Sequence, residues 1–229
     1  MNETELIQQI KKLKEIKPRK DWVLLTKKEI LREETKFELF PFFRPVYAGL
    51  FLFLFVVSVF QLSQRALPGD VLYPLKRISE KAQAIFVSDK ELPKYNLELA
   101  NKRLQELTQI AKKNEVKKLA PAINEFQANV SEAAKNLAKV QNVDKEIVEK
   151  AQRLEENKEK VEGVLGTNIG DEEYKEYENS LAKLVENQIK DLEQRTLTDE
   201  QKEILAEVKL DFEAGNYTDA LVKILILTQ

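Results

Sequence analysis

The chain has 229 residues, a third of them charged, yet 37 Lys and Arg against 39 Asp and Glu leave a net charge of only -2. It holds no cysteine and no histidine, which excludes disulfides, thiolate zinc sites and cysteine nucleophiles and removes the commonest general base, metal ligand and pH switch. With six glycines and neither a dinucleotide fingerprint nor a phosphate loop, the composition points away from an enzyme and calls for no cofactor and no metal.

Charge divides unevenly along the chain. Residues 1–44 carry eleven basic and eight acidic side chains, whereas the stretch from Ala66 onward carries 25 basic and 31 acidic ones. The larger, mildly acidic part lacks the clustered basic surface of a nucleic-acid binder, so no nucleic-acid partner is expected.

Residues 1–44 read as a short helical tail. Leu6, Ile10 and Leu13 line one face of a helix over 3–16, which Pro18 ends. Thr26-Lys27-Lys28-Glu29 has the form of a capping box, with Leu25 and Ile30 placed as its hydrophobic staple, and predicts a second helix over 26–36. Trp22, Leu24, Ile30 and Leu31 form its apolar surface. That surface either folds back on a membrane or docks a partner protein through Trp22, Leu25, Ile30 and Leu31.

Residues 45–64, PVYAGLFLFLFVVSVFQLSQ, contain no charged side chain and are closed by Arg44 and Arg65. Twenty residues at about 1.5 Å each make roughly 30 Å of helix, the thickness of a bilayer's hydrocarbon core. The run starts too far from the N-terminus for a signal peptide, and Gln64-Arg65-Ala66 is a poor cleavage site. Phe40, Phe42, Phe43 and Tyr47 stand where an aromatic belt meets the headgroups. Basic residues near the span number five before it (Lys27, Lys28, Arg32, Lys36, Arg44) and four after it (Arg65, Lys76, Arg77, Lys81). Because the span itself must start insertion, exporting the part C-terminal to it is easier than exporting the basic tail. The expected topology is a single pass in the cell membrane, N-terminus cytoplasmic and C-terminal part extracytoplasmic.

The next segment, Leu67-Pro68-Gly69-Asp70-Val71-Leu72-Tyr73-Pro74-Leu75-Lys76-Arg77, reads as a turn feeding a helix. Pro-Gly sets the turn, Asp70 is placed to cap the amides of 72–74, and Pro74 suits a first helical turn. Leu72, Tyr73 and Leu75 are expected to pack inward, with Lys76 and Arg77 facing water or lipid phosphates.

Nine of these positions (Leu67, Pro68, Gly69, Asp70, Leu72, Tyr73, Pro74, Lys76 and Arg77) match the motif L-P-G-D-x-L-Y-P-x-K-R. In this the chain resembles a bacterial family of unknown function whose members carry that motif just after a single membrane anchor. Val71 stands where many members have Pro. The resemblance covers roughly residues 65–140, and the Ala214-Gly215-Asn216-Tyr217 turn is reminiscent of the same group. It implies a membrane anchor followed by a helical extracytoplasmic domain. It also implies, for some members, the layout of a transmembrane regulator with a cytoplasmic head of anti-sigma type. It supplies no catalytic residues.

Beyond the motif the spacing predicts helices over 72–87, about 91–113, 115–141, 144–165 and 171–195, then 198–214 and 218–228. Leu97, Ala100, Leu104, Leu107 and Ala111 recur at steps of three and four. So do Leu119, Ile123, Phe126, Val130, Ala133, Leu137 and Val140, where Pro121 is a potential kink. Ile147, Ala151, Leu154, Val161 and Leu165 continue the pattern, followed by Tyr174, Tyr177, Leu181, Leu184, Gln188 and Leu192. Thr198 with Gln201 marks a helix start and Gly215 a helix end. Short connections at Asn114, Asn142 and 166–170 favour antiparallel neighbours. The charged residues between the seams read as solvated surface.

No constellation for chemistry emerges. Glu172, Glu173, Glu176 and Glu178 come after a Gly-rich loop but fit no EF-hand spacing, and Ser79 and Lys81 fall on different faces of one helix. The expected fold is all-α: one transmembrane helix, then an antiparallel bundle of six or seven helices. Its organisation is a cytoplasmic tail (1–44), a transmembrane helix (45–64) and an extracytoplasmic bundle (65–229). The expected function is a membrane-anchored, non-catalytic interaction module whose partners are the lipid bilayer and a protein or envelope component. The alternative is a signalling regulator whose tail docks a cytoplasmic partner.

Overall fold

The computed structural model of the chain describes residues 3–14, 17, 19–31 and 40–228, and the side chains of all of these except 40–46 and 171. Among the described residues it has ten α-helices and no strand. They group into two compact units, Met1–Leu54 and Phe55–Gln229.

The first unit holds α1 (Glu3–Lys14) and α2 (Lys20–Ile30). Acidic side chains in the first turn of each helix and lysines in the last complement the helix dipole. Helix α2 starts six residues earlier than its apparent capping box. Thr26 lies inside the helix, Arg19 is the N-cap without a side-chain cap, and Leu25 and Ile30 are ordinary helical positions rather than a staple. The run Trp22-Val23-Leu24-Leu25 has no turn residue to interrupt it, so helical propagation passes through Thr26. The expected stop at Pro18 and the stretch 32–36 fall outside the described residues.

Helix α3 (Phe40–Gln64) contributes residues to both units. Among the described residues it alone is long and apolar enough to cross a membrane, over Tyr47–Gln64. Most of its described side chains stand open: Phe51, Phe53, Phe55 and Val56 are all more than half exposed, while Ser63 near its end is buried. A helix apolar on every side and largely exposed among the described residues has the character of a lipid-facing element.

The second unit continues with α4 (Tyr73–Phe86), α5 (Leu92–Lys112), α6 (Val116–Leu137), α7 (Lys145–Leu165), α8 (Asp171–Glu193), α9 (Asp199–Ala214) and α10 (Tyr217–Thr228). Helix α5 packs against α6 and α7, α6 packs against α8, and α9 and α10 pair with each other. Helix α10 also meets α7 and α8. The core keeps to the three-and-four spacing. Leu97, Leu104 and Leu107 of α5, Phe126 and Val130 of α6, Leu154 and Val161 of α7, and Leu221 and Ile224 of α10 are fully buried. Ile110 takes the buried place at the end of the α5 seam, and Ala111 is half-exposed. Pro121 lies within α6 and does not end it.

Local signals set the helix ends. Asp144 accepts the amide of Ile147 at 2.9 Å to start α7. Thr198 and Gln201 form the expected capping box, with reciprocal bonds of 3.2 and 3.1 Å. Asn114 turns the chain between α5 and α6 at a φ of 56°. Helix α6 ends at Leu137, four residues short of the expected 141, and Ala138 caps it. At the start of α8, Gly170 has a φ of 72°, and a Cβ there would stand 3.0 Å from the Phe126 ring.

Two glycines seven residues apart therefore predict opposite outcomes. Gly163 lies on the exposed face of α7 with open space where an added methyl would stand, so Gly163→Ala should stabilise the protein by about 0.5–1 kcal/mol. Gly170→Ala should destabilise it by about 1–3 kcal/mol, because it adds left-handed strain and a clash with Phe126. Urea unfolding of the full chain in detergent micelles, monitored by circular dichroism, measures both. Equal effects of the same sign would contradict this account of the α7–α8 turn.

Candidate functional site

The residues singled out by the motif begin where α3 ends. Ala66, Leu67 and Pro68 are buried, and the chain reverses in a turn closed by the Asp70 amide bonding to the Leu67 carbonyl at 2.9 Å. The Asp70 carboxylate accepts the Leu67 amide in return at 2.8 Å. It therefore caps backward over the turn and not forward over residues 72–74. The Tyr73 amide goes to the main-chain carbonyl of Asp70 at 3.1 Å, and α4 starts at Tyr73, with Leu72 as an N-cap that makes no side-chain cap and Pro74 in the first turn. The other Asp70 oxygen pairs with Lys118 of α6 at 2.6 Å, and Lys118 also meets Glu115 at 2.6 Å. Gly69 makes this approach possible: at a φ of 92° its α-carbon lies against Lys118, whose Cγ would be 3.1 Å from an added Cβ. The hydrogen bond from Lys118, then that from the Leu67 amide, holds the Asp70 carboxyl below its ordinary range.

Lys76 departs most from expectation. It does not face water or lipid; it is 2% exposed. Its ammonium donates to the Ala66 carbonyl at 2.9 Å and pairs with Glu106 of α5. Glu106 is held from the other side by Arg103, whose Nη1 reaches its two oxygens at 2.9 and 2.8 Å. The second Arg103 nitrogen pairs with Glu80 of α4, and Glu80 also takes Lys102 at 2.8 Å near the surface. Lys76, Glu80, Arg103 and Glu106 thus form a buried, charge-balanced cluster of two cations and two anions. Burial of such groups costs several kcal/mol each unless the charges are paired; here each of the four has an oppositely charged partner, while Arg103 Nε has no hydrogen-bond partner among the described residues.

The Tyr73 ring covers the cluster. The Arg103 guanidinium lies 5.5 Å and the Lys76 ammonium 5.9 Å from its centroid, within cation–π range. Burial raises the Tyr73 phenol well above its ordinary value, so the ring stays neutral across the physiological range. Burial alone would lower the Arg103 pKa, but the charges of Glu106 and Glu80 outweigh it and push it up. Tyr95 of α5 donates to the Glu80 carbonyl at 2.7 Å.

The other motif residues serve the same joint in lesser ways. Arg77 is partly exposed and pairs with Glu125 of α6 at 2.8 Å. Leu72 is half-buried, Pro74 is exposed, and Leu75, expected to pack inward, is 41% exposed. The buried charges of α4 take the inner face of the helix and turn Leu75 outward. The candidate docking residues Trp22, Leu25, Ile30 and Leu31 are all exposed, on α2 and at its C-cap. Glu80, Arg103 and Glu106 were invisible to sequence reasoning, because charged residues between apolar seams read as solvated surface. Their one signal was the spacing of Arg103 and Glu106, three apart beside Leu104 and Leu107, which puts them on the flank of a core-facing stripe.

Chemically, the arrangement is a clasp. Each ionised group in it has an oppositely charged partner, and the Tyr73 phenol is neutral, its hydroxyl buried without a hydrogen-bond partner among the described residues. The elements it joins are the exit from α3, through Ala66, and helices α4 and α5. A shallow cavity of about 510 Å³ opens beside it, lined by Arg77, Lys81, Tyr95, Glu125, Glu132 and Lys135 among others. Among the described residues no group of three Asp or Glu is placed to hold a metal ion.

Breaking the clasp on one side should be costly. Lys76→Met should lower the unfolding free energy by about 3 kcal/mol, because it leaves a buried carboxylate short of a partner. Lys76→Met combined with Glu106→Leu should cost less than the sum of the two single changes, by chemical denaturation of the full chain in micelles. Strict additivity would show that the two side chains are not coupled. Asp70 supplies a pH test. Its lowered pKa means that its contribution is complete above the unfolded value of 3.8 and is lost as pH falls through the folded value. Asp70→Asn should therefore weaken the protein at neutral pH, and the gap to the native chain should close in acid.

Residues 65–163 match the family model of a domain of unknown function, DUF5667. The match opens one residue after α3 ends and takes in the motif, the whole clasp and helices α4 to α6, ending near the end of α7. No curated protein matches the chain, and no solved structure does.

Proposed function

We propose that the protein is a single-pass membrane protein whose C-terminal part is a non-catalytic interaction module. In this reading α3 is the anchor and the N-terminus is cytoplasmic. Helices α4 to α10 form an extracytoplasmic, antiparallel bundle that engages a protein or an envelope component. The observation that carries the reading is the clasp. Right after the one helix among the described residues that is apolar enough to span a bilayer, the chain invests two buried ion pairs in joining that helix's exit to the domain. A rigid joint at that point holds a domain at a set height and angle above a membrane, which suits a binding module better than a tethered enzyme. The absence of histidine and cysteine from the whole chain supports the same class.

A second reading, a signalling regulator of anti-sigma-like layout, draws on the first unit. Leu24 and Leu25 are each 67% exposed, Trp22 is 60% exposed and Ile30 is 76% exposed, which is a surface that a cytoplasmic partner could cover.

Cross-linking of the full chain in native membranes tests the two together. Partners captured through a photoreactive group on the C-terminal part should persist in Trp22→Ala and Ile30→Asp variants if the bundle is the binding module. Partners captured through the tail, and lost in both variants, would favour the signalling reading. Accessibility of single introduced cysteines on α2 and α9 to a membrane-impermeant reagent in intact cells tests the topology. Labelling of α2 but not α9 would invert it.

A further inference from the structure

Helix α4 is built inside out. Its inward face carries Tyr73, Lys76 and Glu80, which are 5%, 2% and 6% exposed. Its outward face carries Leu75, Ile78, Ala82, Ile85 and Phe86, and of these Ile78 is 63%, Ile85 81% and Phe86 89% exposed. Steps of three, four, three and one gather these five side chains into an arc of about 100° on the helix surface, the width of a core-facing stripe in an ordinary amphipathic helix. Here the core side is charged and the apolar stripe faces out.

The place of the stripe in the fold indicates its cover. Only Arg65–Leu72 separate α4 from the end of α3. The side-chain amide of Gln64, the last residue of α3, donates to Ser79 Oγ at 3.1 Å, and Ser79 borders the stripe. The middle of α4 is thus tied to the last turn of the spanning helix, at the depth where a bilayer's hydrocarbon gives way to headgroups. Lys81 stands exposed on one flank of the stripe and Arg65 stands exposed at the approach to it. A helix with an apolar stripe and cationic flanks at that depth has the form of an interfacial helix.

We infer that α4 lies in the headgroup layer of the bilayer that α3 crosses, with the Leu75–Phe86 stripe toward the acyl chains and Lys81 and Arg65 on lipid phosphates. The inference rests on the reading of α3 as the span. It makes the clasp the seam between a lipid-facing helix and a water-facing domain: α4 gives its apolar side to the membrane and its charged side to α5.

The absence of native cysteine allows a direct test on the full chain. Single variants Ile78→Cys, Phe86→Cys, Phe55→Cys and Glu200→Cys are labelled with an environment-sensitive fluorophore and reconstituted into phosphatidylcholine–phosphatidylglycerol vesicles. Nitroxide lipids then quench at shallow or deep positions. All four sites are exposed, and circular dichroism checks that the helical content is unchanged. Labels at 78 and 86 should lose about half of their emission to the shallow nitroxide. The label at 55 should be quenched by the deep one, and the label at 200 by neither. Quenching at 55 with 78 and 86 behaving like 200 would overturn the inference and leave the span intact. No quenching at 55 would overturn the span and the inference together. Labels at 78 and 86 quenched only by an acceptor on a second copy would overturn the inference in favour of contact between chains.

Discussion

The second unit is organised around the burial of one lysine. Lys76 is drawn under the Tyr73 ring because the Ala66 carbonyl and the Glu106 carboxylate both need its protons. Once it is there, Glu106 requires Arg103, and Arg103 requires Glu80. Each partner is desolvated by the same packing, so each pair depends on the next. Ala66 lies two residues beyond α3 and Arg103 lies in the middle of α5, so the chain of contacts runs from the exit of α3 to the centre of the domain.

The cluster also decides which way α4 faces. A 14-residue helix with alternating charges and aliphatics could present either side to the domain. Placing its apolar side inward would have buried Ile78, Ile85 and Phe86 at a gain of about 1.5–3 kcal/mol each. The chain instead spends α4's inner face on paired charges. In water alone that choice loses, and it becomes reasonable only if the outward stripe meets something other than water. On the inference that α4 lies on the bilayer, a lipid surface beside α3 is that second solvent.

Helices α5 to α10 obey simpler rules. Their seams of Leu, Ala, Val, Phe and Tyr at steps of three and four close into one continuous core with few polar groups inside it. The Tyr177 hydroxyl is buried there without a hydrogen-bond partner among the described residues, and Gln188 donates to the Gln141 carbonyl at 2.7 Å. Asn101 is buried and donates to the Leu97 and Lys150 carbonyls at 3.0 and 2.9 Å, fastening α5 to α7. It accepts Asn157 at 2.8 Å as well. A polar bridge between two long seams sets their register, which apolar contacts alone leave loosely defined.

Periodicity and composition by themselves determined the all-helical class, the apolar helix and most helix boundaries after residue 72. These depend on intervals of three and four and on turn residues such as Asn114, Asp144, Thr198 and Gly215, which act within a few residues of where they stand. The start of α2 escaped, because a capping box is read from four letters and Trp22-Val23-Leu24-Leu25 carried the helix past it. Only the tertiary structure decided the fate of the charges. Lys76 and Lys81 look alike along the chain, yet one is buried under a tyrosine and the other stands open, since the difference is made by Glu106 and Ala66 thirty and ten residues away. Burial of a charge is a property of the partners that meet it in space, and no local pattern encodes who those partners are.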